Sequence, residues 1–215
     1  MDCLHALAEA DQPLGSRDLA RTLGMEHTKV TRMLGTLALS GLAERTPEGK
    51  YRPGPAVHVL AAQSLHGSGL LQAALPHLRK LKWEGMAVAL GVFWRGRVCH
   101  LVHAQQHHGL EEGIGRHELH PPFRSSLGLA LLAQPDAPLP ADIGILDREA
   151  LDRTRRLGYG LLHEQDGHVS VAVAIGRPAV AAMGASAPEL TDEQAATLAA
   201  RLRRDADDIA ATLSG

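Results

Sequence analysis

Residues 16–52 read SRDLARTLGMEHTKVTRMLGTLALSGLAERTPEGKYR, and this stretch decides how the chain is organised. Leu19, Ala20 and Leu23 fall on one helical face, and Gly24 breaks that helix. Val30, Met33, Leu34 and Leu37 then return at helical spacing, which predicts a second helix with a buried stripe. The side chains left outside that stripe are His27, Thr28, Lys29, Thr31 and Arg32, hydroxyls and cations suited to base edges and phosphates. Gly41 ends the helix, Leu42 and Ala43 open a strand, and Pro47 to Gly49 predict a tight turn before Lys50, Tyr51 and Arg52. A short helix able to enter a major groove, braced by a second helix and followed by a basic wing, is the pattern a DNA-reading unit requires. The candidate DNA contacts are Ser16, Arg17, His27, Thr28, Lys29, Thr31 and Arg32 from the helices, with Arg45, Lys50, Tyr51 and Arg52 from the wing. The simpler alternative is a three-helix bundle with ordinary solvated charges, and the basic wing argues against it.

Charge limits how such a unit could grip DNA. Met1 to Gly54 holds seven Lys or Arg and seven Asp or Glu, so affinity depends on where charges lie and on having more than one copy. The whole chain carries a formal net charge of -2, which excludes a protein that coats nucleic acid through bulk positive charge. Aromatic residues make up 3%, too few for a single-strand stacking platform.

Outward from the opening stretch, Leu4, Leu7 and Ala8 predict a first helix at about residues 2–10, and Ser16 is the expected N-cap of the next. After Pro53, Gly54 and Pro55, residues 56–65 predict a helix with Val57, Leu60, Ala61 and Leu65 on its apolar side. That side can pair with a second copy or pack on the second domain. His66 to Ser68 should interrupt it before another helix over 70–81.

From Met86 the period changes from helical to alternating. Residues 86–94 and 97–104 predict a hairpin around Arg95-Gly96, and residues 105–118 a loop. Pro121-Pro122 enforces extended backbone, and Ser125 or Ser126 opens a short helix ending near Ala133. Residues 134–142 read as a proline-rich surface loop, and Asp147 to Arg156 as a charged helix closed by Gly158. Strands are expected over 159–163, 168–175 and 178–186, the last two joined by a tight Gly176-Arg177 turn and central in the sheet. Thr191 with Asp192 and Glu193 starts a final helix to about Leu213. The second domain is therefore expected to be a largely antiparallel sheet of five or six strands with helices on one or both sides.

With 215 residues the chain can hold a small and a medium domain. Cys3 and Cys99 allow neither a disulfide framework nor a four-cysteine metal site. The first residues, MDCLHALAEAD, lack a signal-peptide core, and no stretch of 18 apolar residues occurs later, so the expectation is a soluble cytoplasmic protein with no membrane partner.

This order of motifs resembles the IclR family of bacterial transcriptional regulators over nearly the whole chain. Residues 19–57 match the family's helix, recognition helix, Gly41-Leu42 break, wing, and Tyr51-Arg52 then Gly54-Pro55-Ala56 tail. PPFRSSLGLALLA, RRLGYG, HVSVAVAI and AVAAMGASAP are similar to the segments of its GAF-like effector domain. The resemblance implies an α+β protein with a winged helix-turn-helix over 1–54, a linker helix over 55–68, and a GAF-like effector-binding and oligomerisation domain over 69–215. It further implies homodimers or homotetramers on palindromic double-stranded operator DNA, responsive to small organic acids or aromatic catabolites, as repressors or activators. The family's Pro-Leu-His stretch, Thr-Ala pair and Gly-Lys read here as Pro121-Pro122-Phe123, Ser125-Ser126 and Gly128-Leu129, so an imidazole and an ammonium are both gone.

For an effector pocket the candidates are Met86, Val88, Cys99, Leu101, Phe123, Ser125, Ser126 and Met183, with Arg116, Arg124 or His120 giving charge at its mouth. Strand alternation places Cys99, Leu101 and His103 on one side and His100 and Val102 on the other. His100, His103, His107, His108, His117 and His120 form no compact ligand motif and read as surface or loop histidines, so no metal and no cofactor is assigned. No G-x-S-x-G elbow or H-E-x-x-H stretch is present, and the chain does not read as an enzyme. The alternatives to a ligand-responsive regulator are a non-catalytic sensor or assembly protein with a vestigial DNA-binding domain, and a metal-responsive regulator.

Overall fold

The apolar stripes of the first three helices meet in a small core of their own. The computed structural model describes every residue except 116–118, 138 and 140–143, and divides into Met1–Ser68 and Gly69–Gly215. The expected roles of Arg116 and His117, and much of the proline-rich loop at 134–142, lie outside the described residues.

In the first unit, α1 (Asp2–Glu9), α2 (Ser16–Leu23) and α3 (His27–Leu39) bury Cys3, Leu7, Leu19, Ala20, Val30 and Leu34 together. A hairpin of β1 (Ala43–Arg45) and β2 (Tyr51–Pro53) comes next, antiparallel with Glu44 opposite Arg52. The wing is tied back by Leu14, whose N–H and carbonyl both bond Tyr51 at 2.8 Å. The N-cap of α2 is Gly15 rather than Ser16, whose hydroxyl bonds His27 instead. Helix α4 (Pro55–Gly67) begins on a proline, whose missing N–H costs nothing in a first turn, and buries none of its side chains. It runs through His66, and the break falls at Ser68-Gly69, later than the sequence suggested.

The second unit runs α5 (Leu70–Trp83), β3 (Ala87–Trp94), β4 (Arg97–Ala104), β5 (Leu119–His120), α6 (Ser126–Leu132), α7 (Ile145–Leu157), β6 (Gly160–His163), β7 (His168–Ile175), β8 (Ala181–Pro188) and α8 (Asp192–Ser214). Among the described residues its sheet has six strands in the order β5-β4-β3-β8-β7-β6, every neighbour antiparallel. One face packs on α5 and α8, burying Leu78, Leu81, Leu90, Val102, Met183 and Leu202. Each buried leucine there contributes roughly 2 kcal/mol of transfer free energy. The other face packs Ala89, Val98, Ala172 and Ala182 against Leu127, Ala130 and Leu131 of α6. Thr191 caps α8 reciprocally with Gln194, its hydroxyl accepting from the Gln194 N–H at 3.2 Å while the Gln194 side chain accepts from the Thr191 N–H at 2.8 Å.

Several expectations change. The central pair is β3 and β8, while β7 stands next to the edge strand β6. The connection before β8 covers residues 176–180 and holds a cis Arg177–Pro178 peptide, so it is longer than a two-residue turn. β4 carries a bulge: Leu90 pairs with Val102 and Gly91 with His100, leaving Leu101 as an extra residue. The strand β5 falls where the sequence suggested only extended backbone ahead of Pro121. Among the described residues no helix is long and apolar enough to cross a membrane.

Candidate functional site

Packing of Val30 and Leu34 fixes the rotation of α3, and His27, Thr28, Lys29, Thr31 and Arg32 are all exposed as a result. His27 is held in place: its Nε2 lies 2.9 Å from the Ser16 hydroxyl and 3.3 Å from that of Thr31. The Ser16 contact links the first turns of α2 and α3 and draws Ser16 away from capping. Arg17 is exposed on α2. In the wing, Arg45 and Lys50 are exposed, whereas Arg52 donates to the Glu44 carboxylate at 3.1 and 3.2 Å across the hairpin. Glu48 at the turn is held below the usual carboxylate range chiefly by a hydrogen bond to Thr46, so the wing tip carries acid as well as base. Tyr51 is half-buried and packs against the helical core, a structural position rather than part of the exposed surface.

The second unit encloses a cavity of about 450 Å³ on the α6 side of its sheet. Its floor is made of small strand residues, Ala87 and Ala89 of β3 with Gly184 and Ser186 of β8, which leave the space that larger side chains would fill. Ser125, Ser126 and Arg124 close one end at the start of α6, and Leu162, Glu164, Asp166, His168 and Ser170 line the β6–β7 end. Ser170 donates to Glu164, and His168 Nδ1 lies 3.1 Å from Asp166. Two glycines let α6 sit this close: a Cβ on Gly128 would lie 2.2 Å from the Pro122 carbonyl oxygen, and one on Gly160 would lie 2.1 Å from that of Ser126. The loop after β4 is pinned by Lys82, whose Nζ donates to the carbonyls of both Gln105 and Gln106.

The opposite wall is built from histidines. The bulge at Leu101 puts His100 and His103 on the same face of β4, where plain alternation would have separated them. Their ring centroids are 5.0 Å apart at 76°, and His120 of β5 stacks on His100 at 4.4 Å and 28°. His100 is 7% exposed, and neither of its ring nitrogens has a hydrogen-bond partner among the described residues. Burial, reinforced by the neighbouring His120 and His103, pushes its pKa down to about 3 and keeps it neutral. These are wall residues, which corrects the expectation of surface histidines.

Of the eight residues expected to line an effector pocket, Ser125 and Ser126 line this cavity, and Val88 borders it between Ala87 and Ala89 but belongs to the core under α5 and α8. Met183 is fully buried in the core under α5 and α8, and Met86 and Leu101 pack against that same core on the far side of the sheet. Cys99 precedes the bulge and sits next to His100 in the strand, outside the wall, and Phe123 also stays outside it. The expectation chose the larger apolar strand residues, and those pack under the helices on the other face. The Cys99 thiol is pushed up by burial and is not activated. Of the expected mouth charges, Arg124 and His120 line the cavity.

A winged helix-turn-helix is followed by an antiparallel sheet with helices on both faces and a cavity on one of them, the order of a helix-turn-helix unit and a unit of GAF-like fold. Residues 1–47 match the family model of the IclR helix-turn-helix domain, and the chain as a whole has the IclR fold. An IclR homolog from Microbacterium hydrocarbonoxydans, solved in complex with 4-hydroxybenzoate, is similar at 24% identity over 99% of this chain and 96% of that one, with a TM-score of 0.67. An IclR family transcriptional regulator from Brucella abortus gives 20% identity, 98% and 89% coverage, and a TM-score of 0.76. The repressor BlcR of Agrobacterium tumefaciens gives 22%, 99% and 94%, with a TM-score of 0.56. At these identities the likeness over the whole chain is one of fold. No curated protein matches the sequence.

Proposed function

We propose that this chain is a ligand-responsive transcriptional regulator that reads a palindromic operator as a homodimer or homotetramer and senses a small organic molecule in the cavity of its second unit. The observation that carries this reading is α3 itself. Its buried stripe leaves His27, Thr28, Lys29, Thr31 and Arg32 exposed, on a domain that matches the IclR helix-turn-helix model. The even charge of the first 54 residues supports a dimer, because one copy supplies few net contacts with phosphate. On α4, Val59 and Leu60 are 54% and 55% exposed, which suits pairing with a second copy. Two recognition helices would then enter successive major grooves about 34–36 Å apart.

For the sensor, support comes from the cavity's size and from the relative solved with 4-hydroxybenzoate. A ligand changes DNA binding only to the extent that it prefers one arrangement of the dimer over another. Selection from a random duplex library with the full-length protein tests the regulator reading. Enrichment of one inverted repeat is expected, and a folded protein that enriches no sequence overturns it.

A further inference from the structure

The deeply buried polar side chains on the cavity wall are His100 at 7% exposure, Ser125 at 7% and Ser126 at 4%. Among the described residues, the lining side chains with a permanent charge are Arg124, Glu164 and Asp166, and all three are exposed. We propose that the cavity takes an uncharged, hydroxyl-bearing ligand, a compact alcohol or phenol whose hydroxyl meets this buried part of the wall. This deepens the effector-cavity reading and rests on it.

Three observations support it. The first is His100. It pairs across the ladder with Gly91, where an added Cβ would lie 3.0 Å from Leu127 Cδ2, so this pair of residues faces the first turn of α6. Neither ring nitrogen of His100 has a hydrogen-bond partner among the described residues, although buried polar groups ordinarily have one. Burial and the neighbouring imidazoles of His120 and His103 keep the ring neutral, so it presents one N–H and one bare nitrogen. A hydroxyl both donates and accepts and can satisfy either nitrogen, whereas a carboxylate only accepts and an ammonium only donates.

The second observation is the serine pair. The Ser125 hydroxyl accepts from the Gly128 N–H at 3.4 Å, which leaves its proton to donate, and Ser126 is the first residue of α6. Each hydroxyl again offers a donor and an acceptor, the complement of an alcohol. The third is charge. An ion moved past the mouth would leave water for a wall without a permanent opposite charge, a transfer that is costly unless the ion is paired. The floor of Ala87, Ala89 and Gly184 is small and apolar, and about 450 Å³ gives a ring room above it.

Ligand-observed NMR titration of the full-length protein at neutral pH tests this with rings of similar size and different substituents. The probes are phenol, benzyl alcohol and cyclohexanol, the anions benzoate and cyclohexanecarboxylate, and the cations benzylammonium and cyclohexylammonium. The alcohols are expected to bind one per chain and roughly tenfold more tightly than the ions on the same ring. His100→Leu and Ser126→Ala should each weaken that binding roughly tenfold, while His108→Gln, outside the cavity, should leave it unchanged. Circular dichroism confirms that each variant is folded. An ion that binds as tightly as its alcohol, an absence of alcohol binding, or alcohol binding undiminished in both His100→Leu and Ser126→Ala overturns the alcohol. An ion that binds best and is lost in Ala87→Leu, which fills the floor, removes the alcohol and keeps the effector cavity. A folded protein that binds no probe and still selects an inverted repeat removes the alcohol and leaves the DNA-reading function standing.

Discussion

His100 stacks on His120 with ring centroids 4.4 Å apart, and it does so on a wall where its own nitrogens find no hydrogen-bond partner among the described residues. An imidazole held this way costs stability. Burying an unsatisfied polar group is unfavourable by about 1–3 kcal/mol, and stacking returns only part of that.

The replacement His100→Leu should therefore stabilise the protein by roughly 1 kcal/mol, since the unpaired polar atoms go and the volume is largely kept. Urea unfolding of both proteins at neutral pH reads the difference. A clear loss of stability in the variant would show that the imidazole makes stabilising contacts in the folded chain.

On α3, Lys29→Ala and Arg32→Ala should each weaken binding to the proposed operator, and each phosphate contact removed should lower the slope of log affinity against log salt by about 1 per half-site. Fluorescence anisotropy across a salt series measures both. Unchanged affinity at matched salt removes either residue from the contact set.

Tyr51 gives a contrasting pair of variants. Because its ring packs on the helical core, Tyr51→Phe should bind operator like the parent, while Tyr51→Ala should destabilise the first unit by about 2 kcal/mol. A Tyr51→Phe variant that folds normally but loses DNA affinity would return the hydroxyl to the reading surface.

Gly128→Ala and Gly160→Ala place a methyl group 2.2 and 2.1 Å from a carbonyl oxygen, and neither backbone can give way cheaply. Each should cost roughly 2–3 kcal/mol. Thermal unfolding of the full chain checks this, and a wild-type melting profile for either variant would mean that α6 can shift away from its neighbours.

Cys3 and Cys99 should both react slowly with a thiol reagent at pH 8, because burial raises each thiol and leaves less thiolate to attack. Denaturant should bring both to the rate of an ordinary thiol. Fast modification of Cys99 in the native protein would contradict its half-buried position.

The first unit was legible because a helix advertises its buried face: Val30 and Leu34 repeat at the helical period, and everything left over must be outside. The long strands of the second unit were legible from their alternating and apolar runs, whereas the two-residue β5 is too short to show a period. The cavity was not. Which side of β3 faces α6 and which faces α5 and α8 depends on tertiary packing, so Met183 and Leu101 were placed on the wrong side of the sheet. The small residues Ala87, Ala89, Gly184 and Ser186 were the available signal, since strands with little side-chain volume leave space above them. Likewise Ser16 has the chemistry of an N-cap, and only the proximity of His27 in three dimensions assigns its hydroxyl elsewhere.

The extra residue at Leu101 acts on β4 as a frameshift acts on a message. Before it, odd and even positions keep their sides; after it, they exchange, and two histidines three residues apart are read on one face. Removing that one residue would restore a regular strand and leave the two histidines on the same face, whereas pairing β4 with β3 without the bulge would turn His103 toward the helices. The histidine wall is thus a property of the pairing between β3 and β4, and an unchanged sequence paired without the bulge would lack it.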